Sequence, residues 1–142
     1  MAVQLFHIGV KALCKNSEGK YLLLQVNTER LRGDNPAYWD IPGGRIEEGD
    51  TVAQTLVREI HEELGLTVEE GGEFLTAVVS NIKIPTDNGE VGLVLMIYTI
   101  QIDESAEFVI SDEHIGYEWV DGATAAERLQ FKYPKEFTEK LL

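Results

Sequence analysis

Apolar residues along this chain alternate with polar ones at two periods. Residues 3–14 are rich in Val, Ile, Leu and Phe and predict a strand. The turn signal Asn16-Ser17-Glu18-Gly19 and the run Tyr21 to Val26 complete a hairpin with it. A polar loop over 27–37 leads to a short strand around Tyr38 to Ile41 and then to Pro42-Gly43-Gly44. Further strands are expected near 74–84 and 91–102, joined through Pro85-Thr86-Asp87-Asn88-Gly89, and at Tyr117 to Val120. Helical segments near 122–130 and 134–142 close the chain. Strand meanders around one strong helix predict an α+β or α/β sandwich with a mixed sheet.

That helix spans Thr51 to Leu64. Thr51 and Gln54 have the spacing of a capping box, and Gly65 is placed as a C-terminal stop. With Ala53 at 0° and about 100° per residue, Leu56, Ile60, Leu64 and Val57 form one apolar stripe about 100° wide. Glu62, Glu59 and Glu63 fall at about 180°, 240° and 280°, on the flank of that stripe, whereas His61 lies on the other side at about 80°. Like charges at this spacing repel, and the last turn of a helix disfavours anions. A solvated acidic face is one reading. The other is a divalent-cation site, because hard cations take carboxylate oxygens together with water and phosphate. Gly43-Gly44 before the helix allows backbone to approach a ligand closely.

Composition sharpens the picture. The 142 residues carry 12 Lys plus Arg and 25 Asp plus Glu, a net charge of −13. One compact domain over 1–142 is expected at this length. The acidity argues against duplex nucleic acid and anionic membranes as partners. Residues 1–45 and 128–142 each carry +2, and residues 46–127 carry −17, with Arg58 and Lys83 their only bases. Most of these acids read as solvated surface. Cys14 is the lone cysteine and reads as inert core. The N-terminus has no secretory pattern, and the longest apolar run, Val91 to Ile100, is too short to span a bilayer. The expected location is the cytoplasm.

Gly44, five residues, Asp50, seven residues, then Arg58-Glu59-Ile60-His61-Glu62-Glu63-Leu64-Gly65-Leu66 resembles the signature of the Nudix hydrolases. The signature fixes nine of 23 positions, and Asp50 is the one departure, standing where the pattern has Glu. Trp39-Asp40-Ile41-Pro42-Gly43-Gly44 resembles the family's usual run into the box. The resemblance implies an α/β/α sandwich with a mixed β-sheet and a loop–helix–loop catalytic motif. It implies hydrolysis of a diphosphate bond in a nucleotide-type substrate, with Mg²⁺, or Mn²⁺, as cofactor.

Residue by residue, Glu59, Glu62 and Glu63 match the family's metal-binding and catalytic glutamates, and Arg58 matches the arginine that orients the box. Glu113, six residues before Trp119, resembles the outlying functional glutamate of MutT-like members. Glu59 and Glu113 compete for the role of general base. Asp112 and Glu118 are weaker candidates, and His114 reads as a loop residue. Arg30 and Arg32 are candidates to meet phosphates, against an ordinary surface role. Gly43, Gly44 and Trp39 join them as substrate-binding candidates, and Tyr38, Phe131 and Tyr133 are aromatics to weigh as base platforms.

The leading substrate is a nucleoside triphosphate, giving monophosphate and pyrophosphate. ADP-ribose or a nucleotide sugar is the alternative, and a ligand-sensing or interaction module without catalysis is the alternative of another class. A homodimer is an option that the family resemblance raises.

Overall fold

A computed structural model describes residues 2–30, 36–69 and 72–142. Among these residues, eight strands form a mixed sheet: β1 (Phe6–Lys15), β2 (Tyr21–Val26), β3 (Trp39–Asp40), β4 (Gly43–Arg45), β5 (Glu73–Val79), β6 (Ile84–Thr86), β7 (Gly89–Gln101) and β8 (His114–Val120). The main path runs β3-β2-β1-β7-β5, with β4 on β1, β6 on β7 and β8 on β2. β1 and β7 are parallel in register from Phe6↔Gly92 to Lys15↔Gln101, and the other pairs are antiparallel.

Alternation along the strands sends side chains to two cores. Val10, Ala12, Cys14, Leu22 and Leu24 face Leu56, Ile60 and Leu64 of helix α1 (Val52–Leu64). Leu13, Leu23, Leu95 and Ile97 face the other way, toward Ala125 and Leu129 of α2 (Gly122–Leu129) and Phe137 of α3 (Lys135–Thr138). The result is the expected α/β/α sandwich. Burial pushes the Cys14 thiol up to about 12, so it is an unreactive part of the core. Among the described residues, no helix is long and apolar enough to cross a membrane.

Several boundaries differ from the sequence expectation. β1 begins only at Phe6, and Val3 and Leu5 are exposed ahead of it. The strand expected over 74–84 stops at Val79, and Pro85 sits inside β6 instead of in the joining turn. Proline is tolerated there because, among the described residues, β6 pairs only with β7 and is an edge strand. Gly43 and Gly44 lie in a strand, β4, where Val10↔Gly44 and Lys11↔Gly43 are paired. β8 starts three residues early, so His114 is a buried strand residue and not a loop residue.

Candidate active site

Helix α1 has the predicted ends. The Thr51 hydroxyl accepts from the Gln54 N–H at 3.1 Å, the Gln54 side chain accepts from the Thr51 N–H at 2.9 Å, and Gly65 takes φ +71° at the C-cap. Its buried face comprises Thr55, Leu56, Ile60, Glu63 and Leu64. That face is rotated toward the acidic flank relative to the apolar stripe, so Glu63 is only 3% exposed. The glycine pair on β4 makes room for this. A Cβ on Gly44 would collide with the Glu59 carboxylate, and a Cβ on Gly43 would collide with the Val10 carbonyl oxygen. Gly43 also holds φ +147°, which other residues avoid.

The three box glutamates have different surroundings. Glu63 Oε2 accepts from the Gly43 N–H at 2.7 Å. Burial nevertheless pushes the Glu63 carboxyl up to about 8, against the opposing pull of Lys11 and of that N–H. Glu59 is also raised, by burial first and then by the neighbouring Glu62, with Arg58 pulling the other way. Glu62 stays largely in solvent. Arg58 reaches three acids around the box, though not Glu63. Its guanidinium pairs with Asp50, lies 3.5 Å from Glu59 Oε1 and places Nε 3.9 Å from Glu62 Oε1. The shorter Asp50 thus makes the ion pair across the loop that a Glu at this position would make.

Beside the box opens a cleft of about 480 Å³ that includes Gly43, Gly44, Glu63 and Glu113. Its floor holds a buried ionic network. Asp40 Oδ2 accepts from Lys132 Nζ at 2.6 Å and from Lys11 Nζ at 3.3 Å. Asp40 Oδ1 accepts from the Tyr133 hydroxyl at 2.5 Å and from the Ile41 N–H at 2.8 Å. These cations and donors hold the Asp40 carboxyl well below the usual range despite its burial. His114 also lines the cleft. Burial, reinforced by Lys11, pushes its imidazole down to about 4, so it is neutral near pH 7.

The remaining candidates divide cleanly. Arg30 reaches the cleft and pairs with Asp112 at 3.5 Å, and Arg32 lies outside the described residues. The Asn27 N–H donates to the Glu113 carbonyl at 2.8 Å, which ties the Glu113 loop to the end of β2. Trp39 is not brought to the cleft. Arg128 stacks 4.5 Å over its ring and is itself held by Glu118 at 2.5 Å, which accounts for both Trp39 and Glu118 structurally. Tyr133 is core, bonded to Asp40, whereas Tyr38 lines the cleft with Phe131 packed on it at 4.9 Å. His61 is exposed on the far flank.

Sequence reasoning passed over Lys11, Lys132 and the role of Asp40. One signal was available: Lys11 interrupts an otherwise apolar stretch of β1.

Among the described residues, no group of three or more His, Cys, Asp or Glu is gathered closely enough to hold a metal ion as it stands. The donor set nevertheless fits a hard divalent cation. It is all oxygen, its two inner carboxylates are raised by burial, and it borders a cleft that can admit phosphate.

Comparison with known proteins gives a consistent result. The NUDIX domain family model matches residues 5–141. Nucleoside triphosphatase NudI of Enterobacter sp. (strain 638) is 31% identical over 107 residues, covering 73% of this chain and 74% of that protein. An octanoyltransferase of Myxococcus xanthus is 28% identical over 116 residues. This stretch is 78% of the chain and only 30% of that longer protein. Among solved structures, the MutT protein from Methanosarcina mazei Go1 superposes with a TM-score of 0.77 at 26% identity, covering 99% of this chain and 96% of that one.

Proposed function

The chain belongs to the Nudix family of pyrophosphohydrolases, which act on nucleotide-type substrates, and from that premise we propose that it hydrolyses a nucleoside triphosphate to the monophosphate and pyrophosphate. The observation that carries this reading is the burial of Glu63 and Glu59 against the two glycines of β4, at the edge of a cleft lined with cations. The named activity of the NudI relative supports the choice of substrate.

Nudix hydrolases generally use a divalent metal. In this chain Glu59, Glu62 and Glu63 would hold Mg²⁺, with a contribution from Glu113, which lines the adjoining cleft. The cation would neutralise phosphate charge and acidify the attacking water. The chain's own residues do the rest. Arg58 fixes the box by pairing with Asp50, Glu59 and Glu62. The missing side chains of Gly43 and Gly44 let the Glu59 and Glu63 carboxylates sit against the β4 backbone. A carboxylate, Glu59 or Glu113, accepts the proton as water oxygen bonds to phosphorus, and the bridging P–O bond breaks with its electrons going to pyrophosphate.

Phosphate release from a nucleotide panel, with Mg²⁺ and with chelator, tests the proposal. Turnover of triphosphates that falls at least 100-fold in Glu62→Gln, with the fold intact, is expected. Full activity in that variant would refute the site, and preferential turnover of ADP-ribose would refute the substrate. Tight ligand binding with no hydrolysis would identify a sensor.

A further inference from the structure

Two ammonium groups on the cleft floor share one carboxylate, Asp40, and Glu63 acts on Lys11 only from beyond ion-pair distance. Lys11 and Lys132 are both strongly buried, with side chains 5% and 11% exposed. Both donate to one oxygen, Asp40 Oδ2, so their Nζ atoms stand within about 6 Å of each other. Asp40 has no capacity left, because its two oxygens already accept four donors. Each ammonium keeps two N–H donors beyond the one given to Asp40, and among the described residues neither lies within ion-pair distance of another carboxylate. Both line the open cleft.

The arrangement is held from several directions. Ser80 Oγ and the Asn81 N–H donate to the Lys132 carbonyl at 2.7 and 2.9 Å, and the Asn81 side chain binds the carbonyls of Gln130 and Tyr133 at 3.0 Å. Lys11 is fixed by β1, in register with Gly43 of the box approach. Two desolvated cations sharing one anion are unfavourable unless a further acceptor is supplied. A neutral carbonyl would satisfy donors and leave the charge. An oxyanion satisfies both.

We propose that Lys11 and Lys132 form an oxyanion subsite that takes a phosphoryl group of the substrate other than the two engaged at the box. The subsite rests on the diphosphate-hydrolase reading and deepens it. The substrate is then recognised by a third phosphoryl group, through protein ammonium groups that need no metal. Asp40 is a positioning residue that holds the two ammonium groups side by side.

The test uses tripolyphosphate as probe, by calorimetry on the whole chain in chelator. Wild type binds, and Lys132→Gln weakens binding at least tenfold, whereas Lys132→Arg retains most of it. Lys11→Gln, which leaves one ammonium paired with Asp40, is the second variant, expected to show the same loss. Kinetics with Mg²⁺ supply the other arm. Lys132→Gln should raise KM for a nucleoside triphosphate at least tenfold with kcat within about threefold. KM for a nucleoside diphosphate joined to a neutral sugar should not change. Equal loss on both substrates, or unaltered tripolyphosphate binding in both variants, overturns the subsite. Lysine-dependent tripolyphosphate binding in a chain that hydrolyses no diphosphate upholds the subsite and sinks only the enzymatic reading.

Discussion

Glu63→Gln should make the protein more stable at alkaline pH while reducing its activity. Glu63 is almost fully buried and keeps one strong partner, the Gly43 N–H at 2.7 Å, which a Gln carbonyl can also satisfy. Its folded pKa, about 8, lies above its ordinary value of 4.5. Between those values the folded state keeps a proton that the unfolded state has released. Stability from the acid form is therefore full below pH 4.5 and is lost as pH rises through 8. At about 1.36 kcal/mol per pH unit this would approach 5 kcal/mol, and water from the adjoining cleft reduces it to about 2–3 kcal/mol. Urea unfolding in chelator at pH 5.5 and pH 9 measures it. Wild type should lose stability over that interval, whereas Glu63→Gln should lose about 2–3 kcal/mol less and be the more stable protein at pH 9. Parallel profiles for the two proteins would refute the argument. So would a variant less stable than wild type at pH 9.

Two other changes probe the supports of the site. Asp40→Asn leaves two buried ammonium groups facing an amide and should cost about 3–5 kcal/mol in urea unfolding, a magnitude typical of a broken buried pair. Because the Asp40 carboxyl is depressed in the folded state, its contribution is complete above pH about 4 and disappears as pH falls below that. The acid-unfolding curve of Asp40→Asn should lack that component. At the box, Asp50→Asn removes the anion from Arg58, the two side chains being 29% and 27% exposed, and should lower stability by about 1–2 kcal/mol and kcat severalfold. Asp50→Glu should retain both, and a kcat unchanged in Asp50→Asn would show that Arg58 does not depend on this pair.

Local chemistry made part of this molecule readable from sequence and left another part hidden. The capping box and Gly65 mark α1 to within a residue because caps are satisfied by neighbours three or four positions away. The direction of the helix was less legible. The wheel centres the buried face on Leu56, Ile60, Leu64 and Val57, yet Glu63 and Thr55 are buried and Val57 is only partly so. What turns it is the neighbour, since Gly43 and Gly44 present backbone where other strands present side chains. His114 was misplaced for a similar reason. Its strand is set by pairing with Val26 across an irregular register step, which no alternation along 111–117 reveals. The cleft floor was the least visible part. Asp40 and Lys132 are 92 residues apart, and no periodicity links them.

The charge distribution then acquires a physical logic. A chain of −13 holds polyanions at a distance through its outer field. The cleft reverses that sign locally, being lined by Lys11, Arg30, Arg45, Lys83 and Lys132 against Asp40, Glu63 and Glu113. Five of the 12 bases therefore serve one cavity. The acidic segment 46–127 has only two bases, and both are used here: Arg58 organises the box, and Lys83 lines the cleft. A small polyphosphate can enter a narrow cationic cleft, where surrounding protein limits screening, whereas a duplex or membrane surface would meet the acidic exterior first. Raising ionic strength should consequently weaken substrate capture less than it weakens a surface ion pair, because Lys11 and Lys132 act from buried positions.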